Sequence, residues 1–326
     1  MSSQLLNSIS DISGIKVGSA HDIAAQTGVS VILPDAPLCA AVDVRGGGPG
    51  TRETDALALD TLVDRIDALV LSGGSVYGLA AADAVAARLG AARRGFGLVE
   101  NEAVPVSPIV PAAILYDLAN GGDKAWGELP PYRALALQAM EAASTDVILG
   151  KAGAGFGAGA GAHPGGLGSA SAQSLGGFTV GALAAVNSFG SPFVPDTDQF
   201  WAAPYEVGDE FGGKGFPPSA SAQGFPTDTK AAAMARGNTT LVVVATDADL
   251  GAPDLKRLAV MAQDGLARAL RPAHGPTDGD VVFAVSTCEK PVESTLATVT
   301  ELGSIAGDVV ARAIARGVYE ASAPAG

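Results

Sequence analysis

The sequence predicts an α/β protein in which apolar strands alternate with helices. Three observations carry this. Leu241-Val242-Val243-Val244-Ala245 is a β-branched run with the length and composition of a strand buried on both faces. After it, Pro253 sits where a helix's first turn tolerates proline, and Leu255, Leu258, Ala259, Ala262, Leu266, Ala269 and Leu270 recur on one helical face. Ala68-Leu69-Val70-Leu71 is a second apolar run, and it passes through Ser72-Gly73-Gly74-Ser75 into an alanine-rich helix from Val76 to Leu89. The third run spans Val281 to Thr287, with a last helix expected from about Ser304 to Tyr319.

The remaining elements follow in chain order. Short strands are expected at 13–18, 28–34 and 39–44, together beginning one sheet. Arg45-Gly46-Gly47-Gly48-Pro49-Gly50 forces an irregular turn, and Thr51 to Leu62 resumes with helix-forming residues. Pro111 to Leu118 is apolar and includes a phenol and a carboxylate, Tyr116 and Asp117; a helix is expected over Arg133 to Ala143. Lys151 to Gly168 has the composition of low complexity, but its place between apolar segments makes it a loop inside the fold. Gly177 to Val186 reads as a strand closed by Asn187.

Composition excludes several classes of function. With 43 glycines and 5% aromatics, backbones are expected to pack closely around small side chains. A formal charge of -14 argues against nucleic acid or an anionic membrane surface as partner. Cys39 and Cys288 are too few for a disulfide framework, and no His or Cys cluster has zinc-ligand spacing, so no cofactor or metal is expected. Met1 to Leu6 lacks a basic region followed by an apolar core, and no apolar run is long enough for a membrane span, so a cytoplasmic location is expected.

Chemistry concentrates where the Pro-, Gly-, Ser- and Asp-rich segment 195–237 meets the strand that opens Thr239-Thr240-Leu241. A threonine at the start of a chain carries its own general base, an α-amino group with a pKa of about 8. Cutting before Thr239 would create one. On these residues alone, two ordinary strand threonines are the commoner reading. Asp278 and Asp280 flank a glycine at the mouth of another strand, where paired carboxylates can hold and tune a hydroxyl or amine, although an acidic turn is the commoner case. Asn187, closing its strand beside Ser188-Phe189-Gly190, has an amide that can donate to an oxyanion. Ser72 to Ser75 forms an anion-friendly strand-turn-helix junction, yet it has no Walker lysine, no G-x-G-x-x-G, and fails G-x-S-x-G at Tyr77.

Asn238-Thr239-Thr240, Asp278-Gly279-Asp280 with Phe283-Ala284-Val285, Tyr116-Asp117 and Val186-Asn187 together resemble the DmpA-type self-processing aminopeptidases. Gly14-Ile15-Lys16-Val17-Gly18, Val42 to Gly47 and Ser72 to Ser75 extend the likeness over nearly the whole chain. The resemblance implies an αββα sandwich, cut between Asn238 and Thr239 into an α chain of residues 1–238 and a β chain of residues 239–326 that together form one domain. It implies Thr239 as nucleophile with its freed amine as base, Asn187 as oxyanion donor, Tyr116 as a hydrogen-bonding partner near the amide, and Asp278 and Asp280 as groups that orient Thr239. A small peptide or amide substrate and a homotetramer come with it. Aminopeptidase members generally begin their β chain with Ser, so Asn238-Thr239 matches the nylon-oligomer hydrolases of this family better.

One departure concerns charge. Where relatives carry a lysine near the nucleophile, this chain reads Gly161-Ala162-His163-Pro164-Gly165, with Lys151 too far upstream; His163 is either a substitute or, as is commoner for a lone loop histidine, a polar surface residue. An acyltransferase on the same fold and an uncut binding protein are the competing readings. Segment 195–238 is expected to be a flexible linker. Its residues 202–237 offer little to bury and are expected to become mobile and open to trimming once the chain is cut.

Overall fold

A computed structural model describes residues 5–217, 225, 228–230 and 238–323. The strands are β1 (Ile15–Asp22), β2 (Thr27–Pro34), β3 (Leu38–Val44), β4 (Thr51–Arg52), β5 (Arg65–Ile66), β6 (Leu69–Ser72), β7 (Ala112–Ile114), β8 (Gly159–Ala160), β9 (His163–Pro164), β10 (Gly166–Gln173), β11 (Thr179–Asn187), β12 (Thr239–Ala248) and β13 (Val281–Lys290). The helices are α1 (Ala80–Ala91), α2 (Tyr132–Glu141), α3 (Ala252–Ala269) and α4 (Thr295–Ser322). One sheet has the order β1-β2-β6-β7-β4 and the other β10-β11-β12-β13-β3-β5, while β8 and β9 make a small hairpin.

Alternating side chains stack these elements into four layers. Along β12, Leu241, Val243 and Ala245 point into a core between the two sheets, where they join Ile32, Leu69 and Leu71 of the facing sheet. Val242 and Val244 point the other way, into a core built with Leu258, Leu266, Val310 and Ile314 of α3 and α4. The five-stranded sheet repeats the pattern: Val29, Val31 and Val70 turn outward against Ala81, Val85 and Leu135 of α1 and α2. Period-two alternation with both faces buried is what an inner strand of such a sandwich requires. The architecture is therefore the αββα sandwich that the resemblance implied, with β12 between antiparallel β11 and parallel β13 near the middle of its sheet.

Several expectations are corrected. The three early strands do not share one sheet: β1 and β2 pair with each other, but β3 crosses to pair with β13, Ala41 opposite Ala284. There Ala41 packs toward α3 while Leu38 and Ala40 pack between the sheets. Thr51 to Leu62 is not a helix but a two-residue strand, a 3-10 turn and bends, because only Leu57 in that stretch is buried and an apolar stripe is missing. The final helix begins at Thr295, well before Ser304. In the segment 202–237, expected to have little to bury, Ala202 and Phe211 enter the α3/α4 core beside Phe200, so its first part is packed; residues 218–224, 226–227 and 231–237 of that segment lie outside the described residues.

Strand β10, Gly-Leu-Gly-Ser-Ala-Ser-Ala-Gln, has no counterpart in the expected elements, since its outer face carries glycine in place of branched residues. α4 explains this by lying almost backbone to backbone on it: a Cβ on Gly168 would stand 1.9 Å from the Ala313 carbonyl oxygen and 2.4 Å from the Gly317 nitrogen. Gly168→Ala should therefore push α4 off the sheet and cost about 1–3 kcal/mol. A lowered thermal midpoint would show it, and an unchanged midpoint would disprove the close approach.

Candidate active site

The sheet register brings the separated sequence signals together. β12 begins at Thr239, and its last antiparallel partner on β11 is Asn187, directly opposite. On the other side Asn238 bridges in parallel to Asp278, and Thr240 donates its backbone N–H to Asp280 Oδ1 at 2.7 Å. Asn187, Asn238, Thr239, Asp278 and Asp280 thus meet at one sheet end, all buried. Tyr116 comes from the facing sheet side, just beyond β7, and its carbonyl accepts the Asn187 Nδ2–H at 2.9 Å. This carbonyl ties Tyr116 to Asn187.

At the junction itself the Thr239 hydroxyl donates to the Asn238 carbonyl oxygen at 2.6 Å. The same oxygen accepts the Gly279 backbone N–H, also at 2.6 Å. Residue 279 has to be glycine for this: a Cβ there would stand 2.5 Å from Thr239 Oγ1. The glycine loop after β3 holds the acidic turn from behind, with the Arg45 and Gly46 N–H groups on the Asp280 carbonyl and Gly48 N–H on the Asp278 carbonyl at 2.8 Å. A Cβ on Gly46 would collide with Asp278 O and Asp280 N, each 2.3 Å away.

The two carboxylates have different duties, and neither is bonded to the Thr239 hydroxyl. Asp280 is saturated by Thr240 N–H on one oxygen and by His274 N–H and Nδ1 on the other. Asp278 Oδ2 accepts the Gly275 N–H at 2.6 Å, while its Oδ1 is buried with no hydrogen-bond partner among the described residues. Asn238 Nδ2 and Thr240 Oγ1 are orphaned in the same way. Such a cluster of unpaired buried polar atoms is uncommon away from functional sites. Burial, reinforced by the Asp280 charge and opposed by the Gly275 and Phe189 N–H groups, pushes the Asp278 carboxyl up to about 6.

A lysine does stand at the site, and it is Lys230. Its Nζ donates to Asn187 Oδ1 at 2.9 Å and to the Asn187 carbonyl at 3.3 Å. Burial pushes its ammonium down to about 7, against the pull of Asp278. His163 is not the substitute: its Nε2 lies 3.8 Å from Asp228 and its ring stands edge-on to Phe193. Lys230 escaped sequence reading because it lies in the supposed linker; the available signal was that it is one of only two cations between residues 215 and 238. Tyr116, Asn120, Gly159, Asn187, Lys230 and Asn238 line a cavity of about 230 Å³ in front of the junction. A more apolar cavity of about 260 Å³, beside Leu62, Arg94 and Phe96, contains none of these groups.

The anion-friendly turn after β6 is filled by the chain itself: Asp117 accepts the Gly74 N–H at 2.7 Å and the Thr27 hydroxyl at 2.6 Å, and burial raises its pKa. Among the described residues no group of three His, Cys, Asp or Glu side chains is placed to hold a metal. No helix among them is long and apolar enough to cross a membrane.

The model for peptidase family S58 matches residues 7–326. The chain belongs to peptidase family S58. It is 41% identical to an uncharacterized aminopeptidase of Mycobacterium tuberculosis, over 98% of this chain and 96% of that one. To the 6-aminohexanoate-oligomer endohydrolase of Paenarthrobacter ureafaciens it is 29% identical, over 92% of this chain and 82% of that one. Among solved structures, a Burkholderia sp. beta-aminopeptidase superposes with a TM-score of 0.69 at 23% identity, covering 96% of this chain and 86% of that one. The l-aminopeptidase d-ala-esterase/amidase of Ochrobactrum anthropi, described as a variant of the Ntn hydrolase fold, does so with 0.68 at 22%, covering 95% and 85%. As a member of family S58 the protein is a peptide-bond hydrolase.

The raised Asp278 carboxyl has a measurable consequence for this S58 peptidase. In the unfolded chain it ionises near its ordinary value, in the fold only near 6, so its favourable contribution is complete below about pH 4 and lost as pH rises to 6. Asp278→Asn should gain stability over the parent across that window, by about 2–3 kcal/mol at pH 7.5. Urea unfolding at pH 4.5 and 7.5 measures the gap; a gap equal at both pH values would refute the buried charge.

Proposed function

We propose that the protein is a self-processing amide hydrolase whose nucleophile is Thr239, freed as the first residue of a β chain by cleavage after Asn238. The observation that carries this is the junction itself: a hydroxyl at 2.6 Å from the oxygen of the carbonyl that precedes it, with the Gly279 N–H polarising that same oxygen. In cleavage, Thr239 Oγ bonds to the Asn238 carbonyl carbon and the C–N bond breaks. The hydroxyl proton passes to the departing nitrogen, leaving an ester and a free α-amine. Water then hydrolyses the ester.

Turnover reuses the same atoms. The Thr239 amine takes the Oγ proton as Oγ attacks a substrate carbonyl, and later returns it to the leaving amine. Asn187, opposite Thr239 on β11, supplies an amide donor where the oxyanion develops. Asp280 fixes the strand through Thr240 N–H. Asp278, with one oxygen unpaired, is the natural counter-ion for the new amine. Once Asn238 leaves, the cavity in front of Thr239 has room for a small acyl group. Small peptides and amides, including linear aminohexanoate-type oligomers, fit that space and the names of the relatives.

Thr239→Ala should stay a single chain and show no hydrolysis, whereas Thr239→Ser should keep part of both activities. Acid quench during turnover of an activated amide or ester, followed by peptide mapping, should place the acyl group on residue 239. An adduct elsewhere, or an active Thr239→Ala protein, overturns the assignment.

A further inference from the structure

The segment just before the cut does not hang free of the body where it is described. The Asp228 carbonyl accepts the Ala162 N–H at 2.9 Å, and the Asp228 carboxylate takes the Ser191 hydroxyl and faces His163. Thr229 is buried. Lys230 donates its backbone N–H to the Phe189 carbonyl at 3.1 Å and its Nζ to Asn187. Every one of these contacts is to β8, β9, the turn between them or the segment 187–191, and none is to Asn238 or Thr239. Breaking the Asn238–Thr239 bond removes none of them.

Asn187 is where this matters. Its Oδ1 accepts two donors, Gly159 N–H at 3.0 Å and Lys230 Nζ at 2.9 Å. Two donors on one atom fix which end of the amide is oxygen, because the flipped side chain would set its own NH2 against both. Nδ2 is thereby held on the Tyr116 side, at the wall of the cavity. A donor pulling on Oδ1 also strengthens the N–H groups across the amide.

We propose that Asp228–Lys230 stays clasped in the site after maturation, and that Lys230, on what becomes the tail of the α chain, is a positioning residue that holds and polarises Asn187 for hydrolysis. This rests on the reading of Thr239 as nucleophile. It gives His163 a place, as an anchor of the clasp through Asp228. It also runs against the expectation that the whole of 202–237 becomes mobile and open to trimming once the chain is cut.

The test begins with mature, already cut protein, confirmed by mass. Because Asn187 acts on charge that develops in the transition state, Lys230→Met should lower kcat about 100-fold for a small activated amide, with KM changed little. Lys230→Arg, which keeps a donor and a charge, should retain more, and ethylamine added to Lys230→Ala should restore part of the loss. Where a variant fails to mature, carboxypeptidase digestion of the wild-type mature protein replaces it: activity should survive removal of residues up to 231 and fall about 100-fold as Lys230 is released. Unchanged kcat in Lys230→Met, or full activity after loss of Lys230, overturns the proposal. Failure of the nucleophile reading would show separately, as turnover by Thr239→Ala.

Discussion

The hydrogen bond from the Gly279 amide to the Asn238 carbonyl is the contact on which the arrangement of the site depends. It joins the turn before β13 to the residue that precedes β12, and it exists only because three backbones approach without side chains between them. Gly279 lies under the Thr239 hydroxyl, and Gly46 and Gly47 lie behind Asp278, Asp280 and Pro276. Any Cβ at these positions would separate layers that have to touch. The apolar stacking of the sandwich holds the strands in register, and the register in turn sets Asn187 opposite Thr239. A hydrophobic core thus determines the position of a hydroxyl to within hydrogen-bond range.

The electrostatics of the site run against stability. Asp278 is a buried carboxyl beside a second one, Lys230 is a buried ammonium, and Asp278 Oδ1, Asn238 Nδ2 and Thr240 Oγ1 lack partners among the described residues. The three unpartnered atoms depart from the rule that buried polar atoms are paired. They share one location, around the Asn238–Thr239 peptide bond and beside the cavity that Asn187 and Lys230 line. Asp280 and Asp117, by contrast, are fully hydrogen-bonded and act as fixed struts.

Much of this was legible in the residues. Leu241 to Ala245 and Val281 to Thr287 announced buried strands through β-branched content, and the spacing of Leu255, Leu258, Ala262 and Leu266 announced the helix that covers them. Thr239, Asn187, Asp278 and Asp280 were visible because each sits where an apolar run begins or ends. β10 was hidden, since its glycines answer to α4 and not to strand propensity. The expected helix over 51–62 failed for the converse reason: its composition favoured helix, but nothing apolar was there for it to bury.

What the sequence determined by itself, then, is the local part: periodicity sets which segments are strands or helices, and polar residues at strand ends mark the candidate chemistry. Only the tertiary structure decided which sheet β3 joins, that Tyr116 contributes a carbonyl, and that the cation beside Asn187 is Lys230 from a stretch with no periodic signal. The physical reason is one of range. Backbone preference and amphipathic spacing act over a few neighbours along the chain, whereas the site is made by contacts between residues such as Asn187 and Lys230, or Gly46 and Asp278, that only the packing of four layers brings within a few ångströms.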